Sequence, residues 1–387
     1  MTPAWYHIEH TDQLDSPVLV VYPERVKENI RLAIGMIGDV QRLRPHAKTH
    51  KSPGVTRLLL DAGIHKFKCA TIAEAEMLGS CGVPDQAASG RDDRGRSGSP
   101  IDILLAYQPV GPKLLRFLSL IRKFPAVHFS CLVVRPDAAQ AMSTVFAAHE
   151  LRVPVYIDLN VGMNRTGIIP GEAALQLYQY CSHLPGIQPV GLHAYDGHIH
   201  DKDMDLRKRQ CEEAFAPVDR LRDQLQALGL PRPLIVAGGS PTFPVLCQRT
   251  DIECSPGTFV YWDKGYSDSC PEQPFLPAAL VLTRVISLPG TGRLCLDLGH
   301  KSIAAENELS RRVSFLNAPE LKPVGQSEEH LVVDAGPGHG YRIGDLLYGL
   351  PFHICPTVAL YERAYTIGDG DVTGEWANLA RDRKISV

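Results

Sequence analysis

The sequence predicts an α/β chain: a (β/α)8 barrel followed by an all-β domain. Short apolar segments alternate with helical patterns from about residue 23 to residue 275, and eight such repeats in about 250 residues are typical of this barrel. After residue 275 the pattern changes to strands and turns with little helix. A doubly wound parallel sheet is the alternative for the first part, because periodicity does not show whether a sheet closes. We therefore expect a barrel domain at 23–275 and a β domain at 276–387, to which residues 1–22 return.

The eight strand candidates are mostly short and apolar on both faces, as strands covered by helices should be. They are 42–49, 65–71, 101–107, 127–134, 153–160, 189–195, 234–240 and 252–259. Between them, Pro23 suits the first turn of a helix, and Thr71 with Glu74 matches the capping box that begins one. The longest helical pattern covers 206–230 and contains Pro217, where a bend is expected.

Residues 86–100 interrupt this alternation. The segment is rich in Gly, Ser, Arg and Asp and has no apolar residue other than alanine, so it offers little to a packed core. We expect a mobile surface loop, and the functional alternative is a lid over an active site.

Composition and charge exclude several classes of protein. The chain of 387 residues is 44% hydrophobic and 21% charged, which is typical of folded domains rather than intrinsic disorder. Its 40 basic and 43 acidic residues give a net charge of -3, so a nucleic-acid partner is not expected. No apolar run approaches a membrane span, and the first residues lack the pattern of a signal peptide. Ten single cysteines without a CxxC pair indicate reduced thiols, so we expect a cytoplasmic protein.

The first strand candidate ends in a cluster of lysine and histidine. His46, Lys48, His50 and Lys51 fall within six residues at the end where a parallel barrel carries its active site. A lysine that is desolvated there beside other positive charges has a lowered pKa and is nucleophilic toward an aldehyde. The alternative interpretation is a basic turn on the surface.

Polar side chains also follow the fifth and sixth candidates. Arg165 lies in a glycine-containing segment that suits an anionic or aromatic ligand, and a loop arginine paired with a neighbouring carboxylate is the alternative. Tyr195 follows the sixth candidate, together with His193, His198 and His200. Three histidines and a tyrosine in eight residues are more than a buried core needs.

Glycine-rich turns follow the seventh and eighth candidates. The residues concerned are Gly238, Gly239, Ser240, Thr242, Gly257 and Thr258. In (β/α)8 barrels the turns after strands seven and eight commonly hold a phosphate group through backbone N–H groups. Two such turns with hydroxyl groups beside them therefore predict a phosphate site.

His353 and Cys355 alternate in a segment that we expect to be an extended strand. Alternate residues of a strand point to the same side, so this imidazole and thiolate can share one divalent metal ion. Two protein ligands are too few for a structural zinc site, but they leave positions open for water and substrate. The alternative is a buried cysteine beside a structural histidine.

Taken together, these motifs resemble the D-threonine aldolase / D-serine dehydratase family of pyridoxal-phosphate enzymes, which has an alanine-racemase-like fold. The resemblance covers nearly the whole chain and rests on SPVLVVY, RPHAKTHK, KFKCATIAEAE, GLHAYDGHI, the Gly-Gly turn, SPGT, SEEH and HICPTV. It implies that Lys48 is the lysine that binds the cofactor, that Arg165 lies near its ring and that Tyr195 faces cofactor or substrate. We expect these three and His46 to be catalytic. It also implies that the glycine turns bind the phosphate and that His353 and Cys355 hold a divalent metal.

The resemblance implies a lyase whose small-molecule substrate is a D-amino acid with a hydroxyl group on Cβ. Retro-aldol cleavage would give glycine and an aldehyde, whereas dehydration would give a keto acid and ammonia. Aldolases of this family tend to carry Asp at the second metal position and dehydratases Cys, and the Cys355 thiolate favours Zn²⁺ over Mn²⁺ or Mg²⁺. The residues after Cys355 and the general pattern are closer to the aldolases. We therefore expect D-threonine aldolase-like activity, with D-serine or D-threo-3-hydroxyaspartate dehydration as the alternative.

Two other functions on this fold agree less well with the sequence. An amino-acid racemase needs a second acid or base on the opposite face of the cofactor and no metal, which the segment 353–355 argues against. A non-enzymatic carrier of pyridoxal phosphate is typically a bare barrel, which the β domain argues against. The family further implies a homodimer.

Overall fold

The computed structural model describes residues 4–82 and 100–387, which form two compact units. The barrel unit consists of Ile34–Lys48, Thr56–Gly257 and Asp382–Val387, and the β unit of Met1–Ala33, Thr49–Val55 and Thr258–Arg381. The predicted loop at 86–100 lies outside the described residues, apart from Pro100.

Hydrogen bonds are made near both ends of the chain within these two units. Within the β unit, Asn29 of the first helix donates to the carbonyl oxygen of Leu276 (2.7 Å) and accepts from its N–H (2.8 Å). Within the barrel unit, the N–H groups of Ser386 and Val387 donate to Glu76 (3.1 and 3.3 Å). Sequence patterns do not predict these hydrogen bonds, because they join residues that are far apart in the chain.

In the described residues, seven parallel strands form the sheet of the barrel unit, in the order of the sequence. After β1 (Val18–Val21) of the β unit, they are β2 (Lys66–Cys69), β3 (Asp102–Leu105), β4 (His128–Val133), β5 (Val153–Leu159), β6 (Ile187–Ala194), β7 (Leu234–Ala237) and β8 (Glu253–Cys254). Most of their residues are apolar and buried, as parallel strands covered by helices require. Each coincides with one of the predicted candidates.

The remaining candidate, 42–49, closes the sheet but is not the regular strand that we predicted. It makes one parallel bridge to β8 through Leu43 and one to β2 through His46. The carbonyl oxygen of Pro45 accepts the N–H of Lys68 (2.9 Å), but Pro45 has no N–H of its own, so a continuous ladder cannot form. Because this segment still joins the two edge strands, the barrel is confirmed and the doubly wound alternative is wrong.

Arg44 stabilises this closure from inside the barrel. Its buried guanidinium donates to both carboxylate oxygens of Asp102 on β3 (2.8 and 3.0 Å) and to Glu253 on β8 (2.7 Å). Burial alone would lower the pKa of Arg44, but the two carboxylates raise it, so the charge is retained. Removing one partner of such a buried pair typically costs about 3–5 kcal/mol. Arg44 is therefore a structural residue of the RPHAKTHK motif.

Helices α1 to α10 connect the strands in the described residues. They are α1 (Pro23–Ile37), α2 (Pro53–Asp61), α3 (Ile72–Gly82), α4 (Pro112–Lys123), α5 (Pro136–Ala147), α6 (Glu172–Ser182), α7 (Met204–Ala227), α8 (Phe243–Leu246), α9 (Lys264–Ser269) and α10 (Ile354–Leu360). The predicted cap of α3 is confirmed, since the N–H of Glu74 donates to Oγ1 of Thr71 (3.0 Å). The predicted long helix is α7, with Pro217 inside it. None of the described helices is long and apolar enough to cross a membrane.

A nine-stranded sheet forms the core of the β unit, as far as the structure describes it. With β1, its strands are β9 (Ala279–Gly290), β10 (Arg293–Leu296), β11 (Val313–Phe315), β12 (Lys322–Gln326), β13 (Leu331–Asp334), β14 (Leu346–Pro351), β15 (Arg363–Gly368) and β16 (Asp371–Ala377). β1 lies between β9, to which it is antiparallel, and β15, to which it is parallel. All four residues of β1 are buried, so this early strand is part of the core.

Candidate active site

A cavity of about 440 Å³ lies at the carboxyl ends of the strands of the barrel unit. Its lining includes the four residues that we predicted as catalytic, His46, Lys48, Arg165 and Tyr195. Arg165 follows β5 and Tyr195 follows β6 directly, at the end where (β/α)8 barrels carry their active sites. The barrel thus brings together residues that are up to about 150 positions apart in the chain.

Lys48 is half-buried at the end of the closing segment, where the backbone is held on both sides. The N–H of His46 donates to the carbonyl oxygen of Pro256 (3.0 Å), and the N–H of Ala47 donates to that of Lys68 (2.8 Å). An amine that projects from such a fixed backbone into a cavity can attack the carbonyl carbon of a bound aldehyde.

Three positive side chains surround the ring of Tyr195. The Nζ atoms of Lys48 and Lys68 lie 5.9 and 5.6 Å from the ring centroid, and Cζ of Arg165 lies 4.9 Å from it. Within the part of the chain that the structure describes, none of these cations donates a side-chain hydrogen bond or forms an ion pair. Three cationic side chains and one carboxylate, that of Asp158, line the cavity, so it suits an anionic ligand.

The loop that carries Arg165 is ordered by Asn160. Oδ1 of Asn160 accepts the N–H groups of Gly162 (3.1 Å) and Asn164 (3.0 Å). At Gly167, which has a φ of 95°, a Cβ would lie 2.6 Å from the backbone nitrogen of Asn160, so only glycine fits there. These contacts fix the backbone from which the exposed Arg165 side chain projects.

Lys68 also lines the cavity, although no sequence motif singled it out as a site residue. It projects from β2 and is only 2% exposed. Burial, and then the charge of Lys48, lower the pKa of Lys68 to about 7, while Asp196 and Asp158 act in the opposite direction. The signal in the sequence is a lysine in the middle of a short, buried strand.

A histidine–carboxylate pair lies in the same cavity. Nδ1 of His193 is 2.7 Å from Oδ1 of Asp158, and both side chains are buried. A carboxylate can only accept, so Nδ1 donates and Nε2 of the neutral ring keeps its lone pair. Burial lowers the pKa of His193, although Asp158 acts in the opposite direction. Because the pKa is lowered, the ring is neutral near pH 7. Nε2 is buried and has no hydrogen-bond partner among the described residues, so it is an acceptor for a ligand.

The turn after β7 requires glycine at position 238. Gly238 has a φ of 76°, and a Cβ there would lie 2.5 Å from the side chain of Leu246. Its N–H donates to the carbonyl oxygen of Ala194 (3.0 Å), so Gly238 shapes the turn and has no free N–H for a phosphate. The N–H of Gly239 makes a long contact with Oγ1 of Thr242 (3.3 Å) and also interacts with the buried carboxylate of Asp196. It is our candidate phosphate donor in this turn.

The two residues of the second predicted phosphate turn, Gly257 and Thr258, belong to different units. Gly257 is the last residue of its segment in the barrel unit, and Thr258 begins a 3-10 turn in the β unit. Oγ1 of Thr258 lies 3.7 Å from Sγ of Cys355, and Oγ1 of Thr49 lies 3.2 Å from the same sulfur. The described structure thus brings the hydroxyl group of Thr258 to the predicted metal ligand.

His353 and Cys355 come together at the start of a helix, and the prediction of an extended strand was wrong. β14 ends at Pro351, His353 is the N-cap residue of α10, and Cys355 lies in the first turn. Pro356 follows within the same turn, where its missing N–H is tolerated, and this favours a helix start over a strand.

Two carboxylates hold this pair in the β unit. Glu306 pairs with Nδ1 of His353, which leaves Nε2 for a metal. Buried Asp263 accepts the N–H of Ile354, the residue between the two candidate ligands, at 3.1 Å. Burial alone would lower the pKa of His353, but Cys355, Asp263 and Glu306 raise it to about 9. An imidazole and a thiol in contact, with a carboxylate behind the imidazole, are donors of the kind found in open zinc sites.

The residues present fit both groups that the family resemblance implies. The barrel cavity offers an amine, further cations and the acceptor Nε2 of His193, for which the described residues provide no hydrogen-bond partner. These groups suit a cofactor with an aldehyde, a phosphate and an anionic ring oxygen. The β unit offers nitrogen and sulfur donors at His353 and Cys355, which suit a divalent transition metal.

The chain matches two family models in succession. Residues 21–264 match the model described as "Alanine racemase, N-terminal domain". Residues 278–367 match the model described as "Putative serine dehydratase domain".

Similar proteins extend over nearly the whole chain. The D-threonine aldolase of Arthrobacter sp is 26% identical over 95% of this chain and 93% of that protein. The D-threo-3-hydroxyaspartate dehydratase of Delftia sp. (strain HT23) is 24% identical over 95% and 97%. The crystal structure of D-threonine aldolase from Filomicrobium marinum has a TM-score of 0.83 at 23% identity and covers 98% of this chain and 99% of that chain. A metal-free form of a D-threo-3-hydroxyaspartate dehydratase mutant has a TM-score of 0.78 at 22% identity, with coverage of 95% and 98%.

The structural likenesses agree with the fold described above, and the predicted resemblance is confirmed. Because the first model matches more than half of its residues, the chain belongs to the family defined by the N-terminal domain of alanine racemase.

Proposed function

We propose that this chain is a pyridoxal-phosphate- and divalent-metal-dependent lyase of D-3-hydroxy amino acids, and that its main reaction is retro-aldol cleavage to glycine and an aldehyde. The observation that carries the proposal is the cavity in which the Lys48 amine lies with two further cations around one tyrosine ring. The name of the Arthrobacter relative supports the aldolase reaction. We expect the enzyme to act as a cytoplasmic homodimer.

In this proposal Lys48, Arg165 and Tyr195 hold the cofactor, and Gly239, Ser240 and Thr242 hold its phosphate. When bound, pyridoxal phosphate supplies an electron sink that stabilises negative charge on Cα of the amino acid. Arg165 and its neighbouring cations compensate the negative charge of the cofactor, and Cζ of Arg165 lies 4.9 Å from the ring centroid of Tyr195.

Two groups of the cavity can carry protons in this reaction, Lys48 and His193. During retro-aldol cleavage the Cβ hydroxyl loses its proton, the Cα–Cβ bond breaks and Cα takes up a proton. Nε2 of His193 is our candidate for accepting the hydroxyl proton, because it is a buried acceptor that has no hydrogen-bond partner in residues 4–82 and 100–387. The amine of Lys48 is our candidate for returning a proton to Cα.

His353 and Cys355 would hold the divalent metal, with Glu306 orienting the imidazole. When bound, the metal supplies Lewis acidity that makes the substrate hydroxyl easier to deprotonate or to expel. A thiolate ligand favours Zn²⁺ over Mn²⁺ or Mg²⁺. The metal-free form described for a structurally similar dehydratase supports the involvement of a metal in such proteins.

Cys355 favours a second candidate, dehydration of D-serine or D-threo-3-hydroxyaspartate. Here Lys48 would remove the proton from Cα, hydroxide would leave Cβ, and hydrolysis would give a keto acid and ammonia. The same residues serve both reactions, so the difference lies in which bond to Cα breaks. The Delftia relative, named as a dehydratase, supports this alternative.

Product analysis tests the proposal. The protein loaded with pyridoxal phosphate and Zn²⁺ or Mn²⁺ is incubated with D-threonine and with D-serine, and Lys48→Ala is the control. Glycine and acetaldehyde from D-threonine support the aldolase, whereas a keto acid and ammonia identify the dehydratase. Racemisation of D-alanine without either lyase reaction would overturn the proposal.

A further inference from the structure

Lys68 lies on the opposite side of Lys48 from the candidate phosphate turn. The closing segment that ends in Lys48 bridges β8 on one side and β2 on the other. Lys68 is on β2 and is paired with His46, whereas the turn 238–242 follows β7, the neighbour of β8. Around the barrel the order is therefore phosphate turn, Lys48, Lys68.

Lys68 is also the most deeply buried of the three cations in the cavity. It is 2% exposed, while Lys48 is half-buried and Arg165 exposed. Among the described residues its Nζ makes no hydrogen bond, and it lies 5.6 Å from the ring centroid of Tyr195. Burying an amine without a partner is unfavourable, so a bound ligand is expected to supply the missing acceptor.

We propose that Lys68 is a further cofactor-binding residue, whose Nζ–H donates to the ring oxygen on C3 of bound pyridoxal phosphate. This inference rests on the proposed function. The carbonyl carbon that Lys48 attacks is attached to C4 of the ring, between C3, which carries the oxygen, and C5, which carries the phosphate arm. If the phosphate arm lies toward β7 and β8, the C3 oxygen lies toward β2 and Lys68.

The charges around Lys68 are consistent with this role. Lys48 and Arg44 repel its positive form, and Asp196 and Asp158 attract it. Neutral His193, Tyr195, His46, Tyr107 and Arg165 are the other titratable groups in the lining of the cavity. Because attraction and repulsion oppose each other, a bound anionic oxygen would tip the balance toward the protonated amine, which is the better donor.

The test compares Lys68→Met with Lys113→Met. Methionine keeps the length of the lysine stem without the charge. Lys113 is exposed and its Nζ lies 5.0 Å from the ring of Tyr107, so the control makes the same chemical change near an aromatic ring of the cavity. Affinity is measured by titrating the apo protein with pyridoxal phosphate, and ionisation of the bound cofactor by the pH midpoint of its visible absorbance change.

Lys68→Met should weaken cofactor binding about 10- to 100-fold, as expected for loss of a hydrogen bond to a charged group. It should also raise the pH midpoint by about one unit or more, because a nearby positive charge favours the deprotonated oxygen. Unchanged affinity and midpoint in Lys68→Met would overturn the inference while leaving the lyase proposal intact. Should this variant not fold, a crystal structure of the wild-type holoenzyme decides, and Nζ of Lys68 outside hydrogen-bond distance of the C3 oxygen would overturn it.

Discussion

Nδ1 of His193 lies 2.7 Å from Oδ1 of Asp158, and the two residues face each other on the parallel strands β5 and β6. The strand register therefore sets the chemistry of the ring, because residues paired in this way project to the same face of the sheet. With the proton held on Nδ1, Nε2 is an acceptor in the cavity. A substitution of Asp158 should therefore change turnover by changing which nitrogen of His193 carries the proton.

We predict that Asp158→Asn lowers turnover about 100-fold or more, the scale of general acid–base catalysis. The Asn side chain can donate to Nδ1, which would place the ring proton on Nε2 and remove the acceptor. Turnover and cofactor affinity are measured together, and affinity should change much less than turnover. Turnover within twofold of wild type would leave His193 with a structural role only.

Lys48 should be the lysine that is covalently modified when the holoenzyme is reduced with borohydride. Peptide mapping distinguishes it from Lys51 and Lys68. Lys68 is the stronger rival, because burial and the charge of Lys48 lower its pKa to about 7 and it lines the same cavity. A label on Lys68 would contradict both the assignment of Lys48 and the role that we infer for Lys68.

The glycine turn after β7 should separate stability from cofactor binding. Gly238→Ala introduces a Cβ 2.5 Å from the Leu246 side chain at a φ of 76°, so it should destabilise the fold by about 1–3 kcal/mol. Gly239→Ala places a Cβ 3.3 Å from Tyr195 in ordinary backbone conformation, so the variant should fold. The added methyl group should crowd a phosphate held at this turn, and pyridoxal phosphate should therefore bind more weakly. Urea unfolding and cofactor titration measure the two effects, and equal affinity of Gly239→Ala and wild type argues against a phosphate at this turn.

The sequence predicted the barrel well because its signal is local: each apolar segment and each helix start is contained in a few residues. It predicted the closure poorly, because whether 42–49 forms a ladder depends on Pro45 and on edge strands about 20 and 200 residues away. The same limit applies to the site. Lys48 could be assigned through a motif, whereas Lys68 and the Asp158–His193 pair became visible only once neighbouring strands were in register.

We predicted that His353 and Cys355 lie together, and they do, but in a helix start and not in the extended strand that we expected. Strand alternation predicted that His353 and Cys355 share one side, but His353 caps a helix and Cys355 lies in its first turn. The contact instead depends on Asp263, which holds the intervening N–H from a position about 90 residues earlier. No spacing rule within the segment contains that information.

His50 should make the protein sensitive to mild acid. Burial, the largest effect, and Lys51 lower its pKa to about 3, although Nδ1 accepts the N–H of Ser52. The unfolded chain has a histidine pKa of about 6.5, so between pH 6.5 and 3 it binds a proton that the folded protein excludes. The free energy of unfolding should therefore be constant above pH 6.5 in this respect and fall as pH drops, by about 2 kcal/mol at pH 5.

The matched variant for this effect is His50→Asn, whose Oδ1 can still accept the N–H of Ser52 but does not titrate. Urea unfolding at pH 7.5 and pH 5 should reveal a difference that is smaller in the variant by about 2 kcal/mol. The same pH dependence in both proteins would assign the acid sensitivity to other groups.

The sharpest test of the metal site replaces Cys355 in two ways. Cys355→Ala should keep the visible absorbance of the bound cofactor but lose most turnover, because a metal ligand is removed while the barrel cavity is unchanged. Cys355→Asp restores an oxygen ligand and should recover turnover best with Mn²⁺ or Mg²⁺, since carboxylates suit these ions and thiolates suit Zn²⁺. Cys295→Ala, which removes a partly buried thiol elsewhere in the β unit, is the control and should keep metal content and turnover.

Glu306→Gln should weaken metal binding at the same site less than loss of a ligand does. Glu306 pairs with Nδ1 of His353 but is not one of the two expected metal ligands. Loss of such a supporting carboxylate typically weakens metal affinity or activity about 10- to 100-fold, less than loss of a ligand. The predicted order of metal affinity is therefore wild type, Glu306→Gln, then Cys355→Ala, measured by competition with a chromogenic chelator. If a chelator strips all metal from the wild type and lyase turnover continues unchanged, the metal has no part in the reaction. In that case His353 and Cys355 serve only the packing of α10 against its neighbours.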